Sequence, residues 1–172
     1  MELLIFSDSH GKTDGMQWAC DVQTKRPDGI CFLGDGLRDA EAVFSQGVPL
    51  YAVRGNCDWD AASVGVPIEA TLCFHGHKLL LTHGHMFGVK GGYGTLLSHA
   101  AACGADIVLC GHTHLPHEEV VPAGETLGDV TLSRPLYLFN PGSIGYDTDG
   151  QGRSFGTLLL RGDTVLFSHG RY

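Results

Sequence analysis

The chain has 172 residues, of which 43% are hydrophobic and 17% charged, and its formal net charge is −8. This composition predicts a globular chain rather than a disordered one, and the acidic balance argues against extended binding to nucleic-acid phosphates. The first apolar run ends at Phe6, which is too short for a secretory or membrane-spanning segment, so a cytoplasmic protein without membrane contact is expected.

The first third of the chain predicts strands that alternate with helices. This order is typical of a parallel sheet with right-handed crossovers. In such sheets ligands gather beyond the carboxyl ends of the strands, so polar residues that follow the strands are expected to lie together. The strands are expected at 3–6, 29–33 and 50–53, and the helices at 13–25, with Thr13 as N-cap, and at 38–45.

The rest of the chain predicts mainly strands. A hairpin is expected from 71–75 and 78–82 around a two-residue turn at Gly76-His77. A helix is expected over 93–103, ended by Gly104. Because no linker or repeat interrupts the pattern, we expect a single domain over residues 1–172. The further strands are predicted at 107–110, 118–121, 126–132, 136–139, 154–160 and 165–169, the last two joined by Gly162-Asp163.

Five short polar patches carry side chains that divalent metals accept as ligands. A lone Asp-x-His pair, such as Asp8 and His10, is more typical of a capped loop than of a metal site. Carboxylate, amide and imidazole groups recur here, however, whereas ordinary polar loops contain Lys, Glu, Ser and Gln as often. The recurrence indicates a two-metal hydrolytic site. The patches are Asp8-Ser9-His10, Gly34-Asp35, Gly55-Asn56, Thr82-His83-Gly84-His85 and Gly111-His112-Thr113-His114.

The residue types suggest how two ions could be shared. Asp35 is the central candidate for a bridge, because a carboxylate has two oxygens. Asn56 offers a neutral carbonyl oxygen, which limits negative charge in a site that accepts an anionic phosphate. Neutral nitrogens are expected from His83, His112 and His114.

Taken in order, these patches resemble the motifs of the calcineurin-like metallophosphoesterases over residues 8–114. Residues 140–143, Asn-Pro-Gly-Ser, resemble a further motif of the small prokaryotic phosphodiesterase branch. The resemblance implies an α/β fold, a four-layer α/β/β/α sandwich with two mixed β-sheets. It also implies that one metal is held by Asp8, His10, Asp35 and His114, and the other by Asp35, Asn56, His83 and His112.

The reaction implied by the resemblance is metal-dependent hydrolysis of phosphoesters, with phosphodiesters expected first, by in-line attack of a hydroxide that bridges two divalent metals. Mn²⁺ is the expected ion, with Ni²⁺, Fe²⁺, Co²⁺ or Zn²⁺ as alternatives. The expected partner is a small phosphoester substrate, and a homo-oligomer is compatible with the sequence. Two alternatives stay open: a phosphomonoesterase or nucleotide pyrophosphatase, and a non-catalytic protein-interaction scaffold of the same fold.

Four residues near the expected ligands are catalytic candidates: Asn56, Cys57, Asp58 and His85. Many members of the family carry His directly after the metal-binding Asn, whereas this chain has Cys57. The thiol could give a proton to the leaving group or could have no chemical role. Asp58 could orient a group of the site or could be an ordinary turn residue, and His85 is expected to hydrogen-bond the phosphate or a metal-bound water.

Other conspicuous residues are given structural interpretations. Arg54 is expected to form an ion pair with a strand-end acid. The six cysteines include no C-x-x-C pair, and most are expected to be buried, reduced thiols. The remaining histidines lack ligand-like sequence neighbours and are expected to be plain surface or core residues: His75, His77, His99, His117 and His169.

Overall fold

A computed structural model of the protein describes residues 1–44, 47–60 and 63–172. Within these ranges, two mixed five-stranded sheets pack face to face, and helices cover their outer faces. In chain order the elements are β1 (Glu2–Phe6), α1 (Asp14–Asp21), β2 (Gly29–Phe32), α2 (Leu37–Phe44), β3 (Leu50–Ala52), β4 (Glu69–Phe74), β5 (His77–Thr82), α3 (Gly94–Ala102), β6 (Ile107–Leu109), β7 (Pro116–Val121), β8 (Thr126–Leu127), β9 (Val130–Thr131), β10 (Leu136–Pro141), β11 (Ser154–Arg161) and β12 (Thr164–Arg171).

The first sheet has the order β12-β11-β1-β2-β3. Its strands β1, β2 and β3 are parallel, as the alternating pattern predicts, and β11 and β12 extend it in antiparallel fashion. Helices α1 and α2 cover its outer face, where Met16 and Leu37 pack with Phe6 and Phe32. Strands β1 and β2 are buried on both faces, which explains their continuous apolar runs.

The second sheet has the order β4-β5-β6-β10-β7. Strands β5, β6 and β10 are parallel, and the outer strands β4 and β7 are antiparallel to their neighbours. Helix α3 covers its outer face through Leu96 and Ala100. Ile5, Leu81 and Phe139 belong to the core shared by the two sheets. The predicted four-layer α/β/β/α sandwich is therefore confirmed.

The carboxyl ends of the central strands of both sheets meet at one edge of the sandwich. There, the backbone N–H of Asp8 donates to Gly34, and that of Gly111 donates to His83. These bonds link the loop after β1 to the loop after β2, and the loop after β6 to the end of β5. The polar patches therefore share one edge because the parallel strands place their ends there.

Helix α1 is shorter than predicted, because it ends at Asp21 instead of residue 25. Pro27 disfavours helical backbone at the residue before it, and residues 23–26 carry no apolar side chain that could extend the buried face. Thr13 occupies the N-cap position, but its side chain makes no capping hydrogen bond. Helix α2 covers most of the predicted range; its predicted last residue, Ser45, lies outside the described residues.

The hairpin turn is one residue earlier than predicted. Phe74 pairs with His77, so His75 and Gly76 form the turn, with φ values of 51° and 81°. Two-residue hairpins of this type require positive φ at both central positions. His77 stays in the strand because its Nδ1 lies 2.6 Å from the buried carboxylate of Asp106.

The predicted strand over 126–132 is wrong: it splits into β8 and β9, which form a small hairpin. Gly128 has a φ of 59° and supplies the left-handed turn residue.

The prediction that most cysteines are buried is also wrong, because only Cys31 and Cys110 are buried, whereas Cys57 and Cys73 are exposed. Cys57 lies in a strand-end loop and Cys73 on an edge strand, two places that a local apolar pattern does not identify.

In the described part of the chain, no helix combines the length and the apolar character needed to cross a membrane.

Candidate metal centre

All seven expected metal ligands lie in loops that follow strands, and most of these loops have unusual backbone geometry. Among the described residues, six non-glycine residues have a positive φ, and five of them are expected ligands. Such left-handed backbone is costly for residues with a Cβ and collects at functional sites. The five are Asp8, His10, Asp35, His112 and His114, with φ between 46° and 68°.

A first group of donors consists of Asp8, His10 and His114. Asp8 is fully buried at the end of β1, and its Oδ1 lies 3.1 Å from His114 Nε2 and 3.7 Å from His10 Nε2. The two imidazole Nε2 atoms are 3.3 Å apart. The other carboxylate oxygen, Oδ2, accepts hydrogen bonds from Ser7 and from the backbone N–H of His112. Oδ1 is therefore the oxygen that faces the imidazoles.

A second group consists of Asp35, His83 and His112. The Nδ1–H of His83 donates to the carbonyl of Leu33 at 2.7 Å, which leaves the lone pair on Nε2. This Nε2 lies 3.1 Å from His112 Nδ1 and 3.4 Å from Asp35 Oδ2. A fixed tautomer thus aims the free nitrogen of a fully buried ring at the other two donors.

Asp35 lies between the two groups. Its Oδ2 is 3.4 Å from His83 Nε2 of the second group and 3.9 Å from His10 Nε2 of the first. Its Oδ1 accepts a hydrogen bond from the backbone N–H of Cys57 at 2.7 Å. The Asp35 carboxylate therefore faces imidazoles of both donor groups.

The electrostatics of the site keep both carboxylates ionised. Burial raises the pKa of Asp8, but the imidazoles of His10 and His114 more than offset it, so that this pKa lies well below its usual value. Burial likewise opposes ionisation of Asp35, and the neighbouring His83 lowers the Asp35 pKa to about 2. The charge balance favours cations at this edge of the sandwich.

Two imidazoles of the site, His112 and His85, have lowered pKa values. Burial lowers the pKa of His112 to about 4, with a further contribution from His83. Burial also lowers the pKa of His85, again with a contribution from His83. His112 and His85 are therefore neutral at neutral pH, the form in which imidazole binds metals.

Three buried side-chain atoms of the described residues have no hydrogen-bond partner: Asp8 Oδ1, Asn56 Oδ1 and His85 Nδ1. Unpaired buried polar atoms are rare in folded proteins and need a partner such as an ion. Two of the three are oxygens of expected ligands. Together with imidazole nitrogens that face each other at 3.1 and 3.3 Å, these oxygens fit divalent cations.

Asp58 organises the loops rather than facing the donor groups. Its Oδ2 accepts hydrogen bonds from the backbone N–H groups of Asp35 and Gly55, both at 2.8 Å. Its Oδ1 accepts from Gly36 and Leu37 at 2.9 and 3.0 Å. Four backbone donors thus occupy one buried carboxylate, which ties the loop after β2 to the loop after β3.

Cys57 is exposed next to these ligands. Its Sγ lies 3.3 Å from Asn56 Nδ2, and together with donors of His10 and Asp35 it forms a third possible ligand group. Burial of the sulfur and the neighbouring Asp35 raise the pKa of the thiol to about 11. The thiol is therefore protonated at neutral pH when no metal is bound.

Two glycines allow the loops to approach the carboxylates. A Cβ on Gly55 would collide with Asp35 Oδ1, and a Cβ on Gly111 would collide with Ser7 Oγ and approach Asp8 Oδ2 to 2.9 Å. Glycine is therefore required at these two motif positions for a steric reason, because it lets the backbone lie directly against ligand side chains.

The Asn-Pro-Gly-Ser motif supports the site from behind. Asn140 Nδ2 donates to the Gly111 carbonyl at 2.9 Å and contacts Thr113 Oγ1 at 3.0 Å. Ser143 Oγ donates to the Asp8 carbonyl at 2.8 Å. The motif therefore holds the loops of Asp8 and of His112.

Tyr146 and Lys12 are site residues that the sequence did not reveal. The Tyr146 ring stacks on His114 with centroids 5.9 Å apart and lies 5.3 Å from the His10 ring. Lys12 Nζ lies 4.4 Å above the Tyr146 ring and donates to the Gly145 carbonyl. No local pattern marks either residue, because their contacts join distant segments; Lys12 and Gly145 are 133 positions apart in the chain.

A cavity of about 380 Å³ opens beside the second donor group. Arg54 lines it and makes no ion pair with a carboxylate anywhere in residues 1–44, 47–60 and 63–172, so the predicted structural ion pair is wrong. Arg54 lies two residues after β3. Because it lines the cavity without a carboxylate partner among the described residues, its guanidinium is available to an anionic ligand. The cavity is also lined by Gly55, Asn56, Asp58, Trp59, Ile68, His85 and Met86.

The chain is similar to known phosphoesterases over nearly its whole length. The family model of the calcineurin-like phosphoesterase superfamily domain matches residues 1–170. The probable metallophosphoesterase YsnB of Bacillus subtilis is 30% identical over 169 residues, which cover 97% of this chain and 90% of that protein. The phosphodiesterase YfcE of Escherichia coli is 28% identical, with 92% of this chain and 87% of that protein covered.

Among solved structures, wild-type Vps29 of Entamoeba histolytica, complexed with Zn²⁺, superposes with a TM-score of 0.73 at 20% identity. The match covers 98% of this chain and 91% of that one and shows a shared fold. The family model spans nearly the whole chain, and its relatives include small bacterial phosphoesterases of matching length. The chain belongs to the calcineurin-like phosphoesterase superfamily.

Proposed function

We propose that this protein hydrolyses phosphodiesters with two divalent metal ions per chain. The observation that carries the proposal is the pair of donor groups joined through Asp35. One ion would be held by Asp8, His10, Asp35 and His114, and the other by Asp35, Asn56, His83 and His112. The buried, unpaired Oδ1 atoms of Asp8 and Asn56 support these two sets.

When bound, two divalent cations supply Lewis acidity, which lowers the pKa of an attacking water and neutralises charge on the phosphoryl oxygens. The oxygen and nitrogen ligands suit Mn²⁺, our preferred ion, and also accept Ni²⁺, Fe²⁺, Co²⁺ or Zn²⁺. The chain's own contribution is to hold the donors rigidly: His83 through Leu33, and the Asp35 loop through Asp58.

His85 and Arg54 are proposed to bind the phosphoryl group. Both line the cavity beside Asn56, and His85 Nδ1 is buried without a hydrogen-bond partner in the described structure. A neutral imidazole and a guanidinium can both donate to phosphate oxygens. Asp58 acts in this proposal as a positioning residue, because both of its oxygens are already occupied by backbone N–H groups.

The apolar side of the cavity favours diesters over monoesters. Trp59 and Met86 are 85% and 66% exposed, and with Ile68 they form a wall beside the proposed phosphate contacts. A diester carries a second organic group that can lie on this wall, whereas a monoester does not. Burial of such a group contributes roughly 25 cal/mol per Å² of apolar surface.

Cys57 is a poor proton donor to the leaving group. The residue after Asn56 is a thiol whose pKa is raised to about 11, so it holds its proton more tightly than an imidazolium would. We therefore propose that esters with good leaving groups react best, since they need little protonation.

The test is to reconstitute metal-free protein with each ion and to measure hydrolysis of a diester and of its matching monoester. We expect Mn²⁺ to support the highest diester rate, and we expect Asp35→Asn and Asn56→Ala to lower it by at least about 100-fold. Undiminished activity in both variants would contradict the proposed site. A higher rate on the monoester would instead favour a phosphomonoesterase or nucleotide pyrophosphatase.

A second candidate function is that of a non-catalytic protein-interaction scaffold of the same fold. Bound metal without turnover of any phosphoester would support it.

We further propose that residues 1–172 work as one domain in the cytoplasm on a small substrate. A homo-oligomer is compatible with this proposal and can be tested by analytical ultracentrifugation.

A further inference from the structure

Another group of metal-binding side chains lies between β4 and α3, outside the proposed dinuclear centre. It consists of Glu69, His99 and Cys103, whose donor atoms all lie within 4.8 Å of one another. His99 Nε2 is 2.8 Å from Glu69 Oε2 and 3.6 Å from Cys103 Sγ. A carboxylate, an imidazole and a thiol therefore converge, although His99 was expected to be a plain histidine.

The fold brings these three side chains together from two elements. His99 and Cys103 are four residues apart, and the backbone N–H of Cys103 donates to the His99 carbonyl at 2.9 Å, so both lie on one face of the helical segment. Glu69 pairs with Thr82 across the hairpin, two positions from the pair of Thr71 with Leu80. Leu80 packs against α3, so the face that carries Glu69 also points to this helix.

The spacing of the donors fits zinc. Tetrahedral zinc with bonds of about 2.05 Å to nitrogen and about 2.3 Å to sulfur holds these two atoms about 3.5 Å apart. The observed distance from His99 Nε2 to Cys103 Sγ is 3.6 Å. The Glu69 oxygen needs to withdraw from the imidazole by about 0.5 Å, a small rotation for a side chain that is 31% exposed.

We propose that Glu69, His99 and Cys103 bind one Zn²⁺ ion, with a water molecule as the fourth ligand. A thiolate and an imidazole favour Zn²⁺ over the harder Mn²⁺, so this site differs in metal preference from the dinuclear centre. The partial exposure of Glu69 and His99 leaves a path for the ion. The proposal does not depend on phosphoester hydrolysis.

A bound ion would tie β4 to α3 close to the proposed phosphate site. The Phe87 ring lies 4.8 Å from the His99 ring, and Phe87 ends the short 3₁₀ helix that begins at His85. Zinc at His99 would therefore stiffen the segment that carries His85. Without zinc, the same contacts amount to an ion pair between His99 and Glu69 with a neighbouring thiol.

The test uses Co²⁺ as a spectroscopic substitute for Zn²⁺ on metal-free, full-length protein. Ligation by a thiolate produces a near-ultraviolet charge-transfer band, which carboxylates and imidazoles do not produce. We expect this band in the wild type and in Cys57→Ser, and we expect its loss in Cys103→Ser and its displacement by Zn²⁺. Cys57 is the matched control, because its thiol lies beside donors of His10 and Asp35 in the other centre.

Absence of the band in Cys57→Ser would overturn the proposal. So would a band that persists when Cys103→Ser is added to folded Cys57→Ser, which lacks the thiol of the other centre. A further variant, Glu69→Gln, keeps the shape of the side chain but removes its charge. We expect this variant to retain the band. We also expect the Co²⁺ affinity of this site, titrated through the band, to fall roughly tenfold or more. Unchanged Co²⁺ affinity in Glu69→Gln would exclude the carboxylate and leave only the ion pair with His99.

Discussion

The Nδ1–H of His83 donates to the carbonyl of Leu33 at 2.7 Å, which joins the ends of the two sheets. Leu33 follows β2 of the first sheet, and His83 follows β5 of the second. The bond fixes the imidazole tautomer and turns Nε2 toward Asp35 and His112. One hydrogen bond thus couples the packing of the sandwich to the geometry of the proposed metal centre.

His83→Gln tests this coupling. We expect the variant to lose one proposed ligand and to bind metal at least about 100-fold more weakly, with turnover lowered in parallel. Metal content after dialysis and initial rates at saturating metal give the two readouts. His117→Gln is the control, because His117 contacts Tyr93 and Glu119 rather than the donor groups. Equal losses in both variants would refute a specific role for His83.

Asp58→Ala is expected to destabilise the metal-free protein by about 2–4 kcal/mol, because four backbone N–H groups would lose a buried carboxylate acceptor. The free energy of unfolding in denaturant measures the effect. Asp149→Ala, which removes an exposed partner of Arg171, is expected to cost less. If the two variants are equally stable, Asp58 does not organise the loops.

Gly111→Ala places a Cβ against Ser7 Oγ and close to the Asp8 carboxylate. We expect the loop of His112 to shift and the metal affinity to fall by roughly tenfold or more. Gly94→Ala is a matched control, since a Cβ there meets no atom of the described residues within 4 Å. Isothermal titration calorimetry with Mn²⁺ compares the metal affinities of the two variants. Identical affinities would show that the close approach at Gly111 is not required.

Cys57→His tests the missing general acid. An imidazole after Asn56 is expected to raise turnover of diesters with poor leaving groups by about tenfold or more, and to change turnover of activated diesters little. Cys57→Ser controls for loss of the thiol alone. A uniform change across leaving groups would mean that position 57 does not deliver the proton.

Metal binding to the metal-free protein should depend on pH through His83. Burial opposes protonation of this ring, but the hydrogen bond to Asp35 and the negative charges of Asp8 and Asp35 together outweigh it and raise the pKa of His83 above its usual value. Because the protonated ring cannot bind a metal, apparent affinity should be full above this raised pKa and should fall as the pH decreases through it. Competition titrations with a chelator on both sides of that pH measure the effect. In His83→Gln the slope should become shallower; an unchanged slope would assign the proton to another residue.

The sequence predicted the βαβαβ order, the strand-end position of every expected ligand and the four-layer class. The order of elements and the strand-end positions were readable because continuous apolar runs define buried strands, and strand ends in parallel sheets share one edge. The four-layer class followed from the resemblance to the family. The end of α1, the hairpin turn and the division of 126–132 were missed. Local composition is compatible with more than one boundary in each of these segments, and contacts with distant residues select one of them. The burial of His77 beside Asp106, for example, places the hairpin turn.

The sequence by itself determined the family motifs, their donor types and the departure at Cys57. Only the tertiary structure decided that Asp58 ties two loops together, that Arg54 is free to face the cavity, and that Tyr146 stacks on His114. The same holds for Glu69, which reaches His99 and Cys103 only because β4 pairs with β5 beneath α3. Sequence motifs record ligands that recur at strand ends, whereas contacts between distant segments exist only once the two sheets have packed.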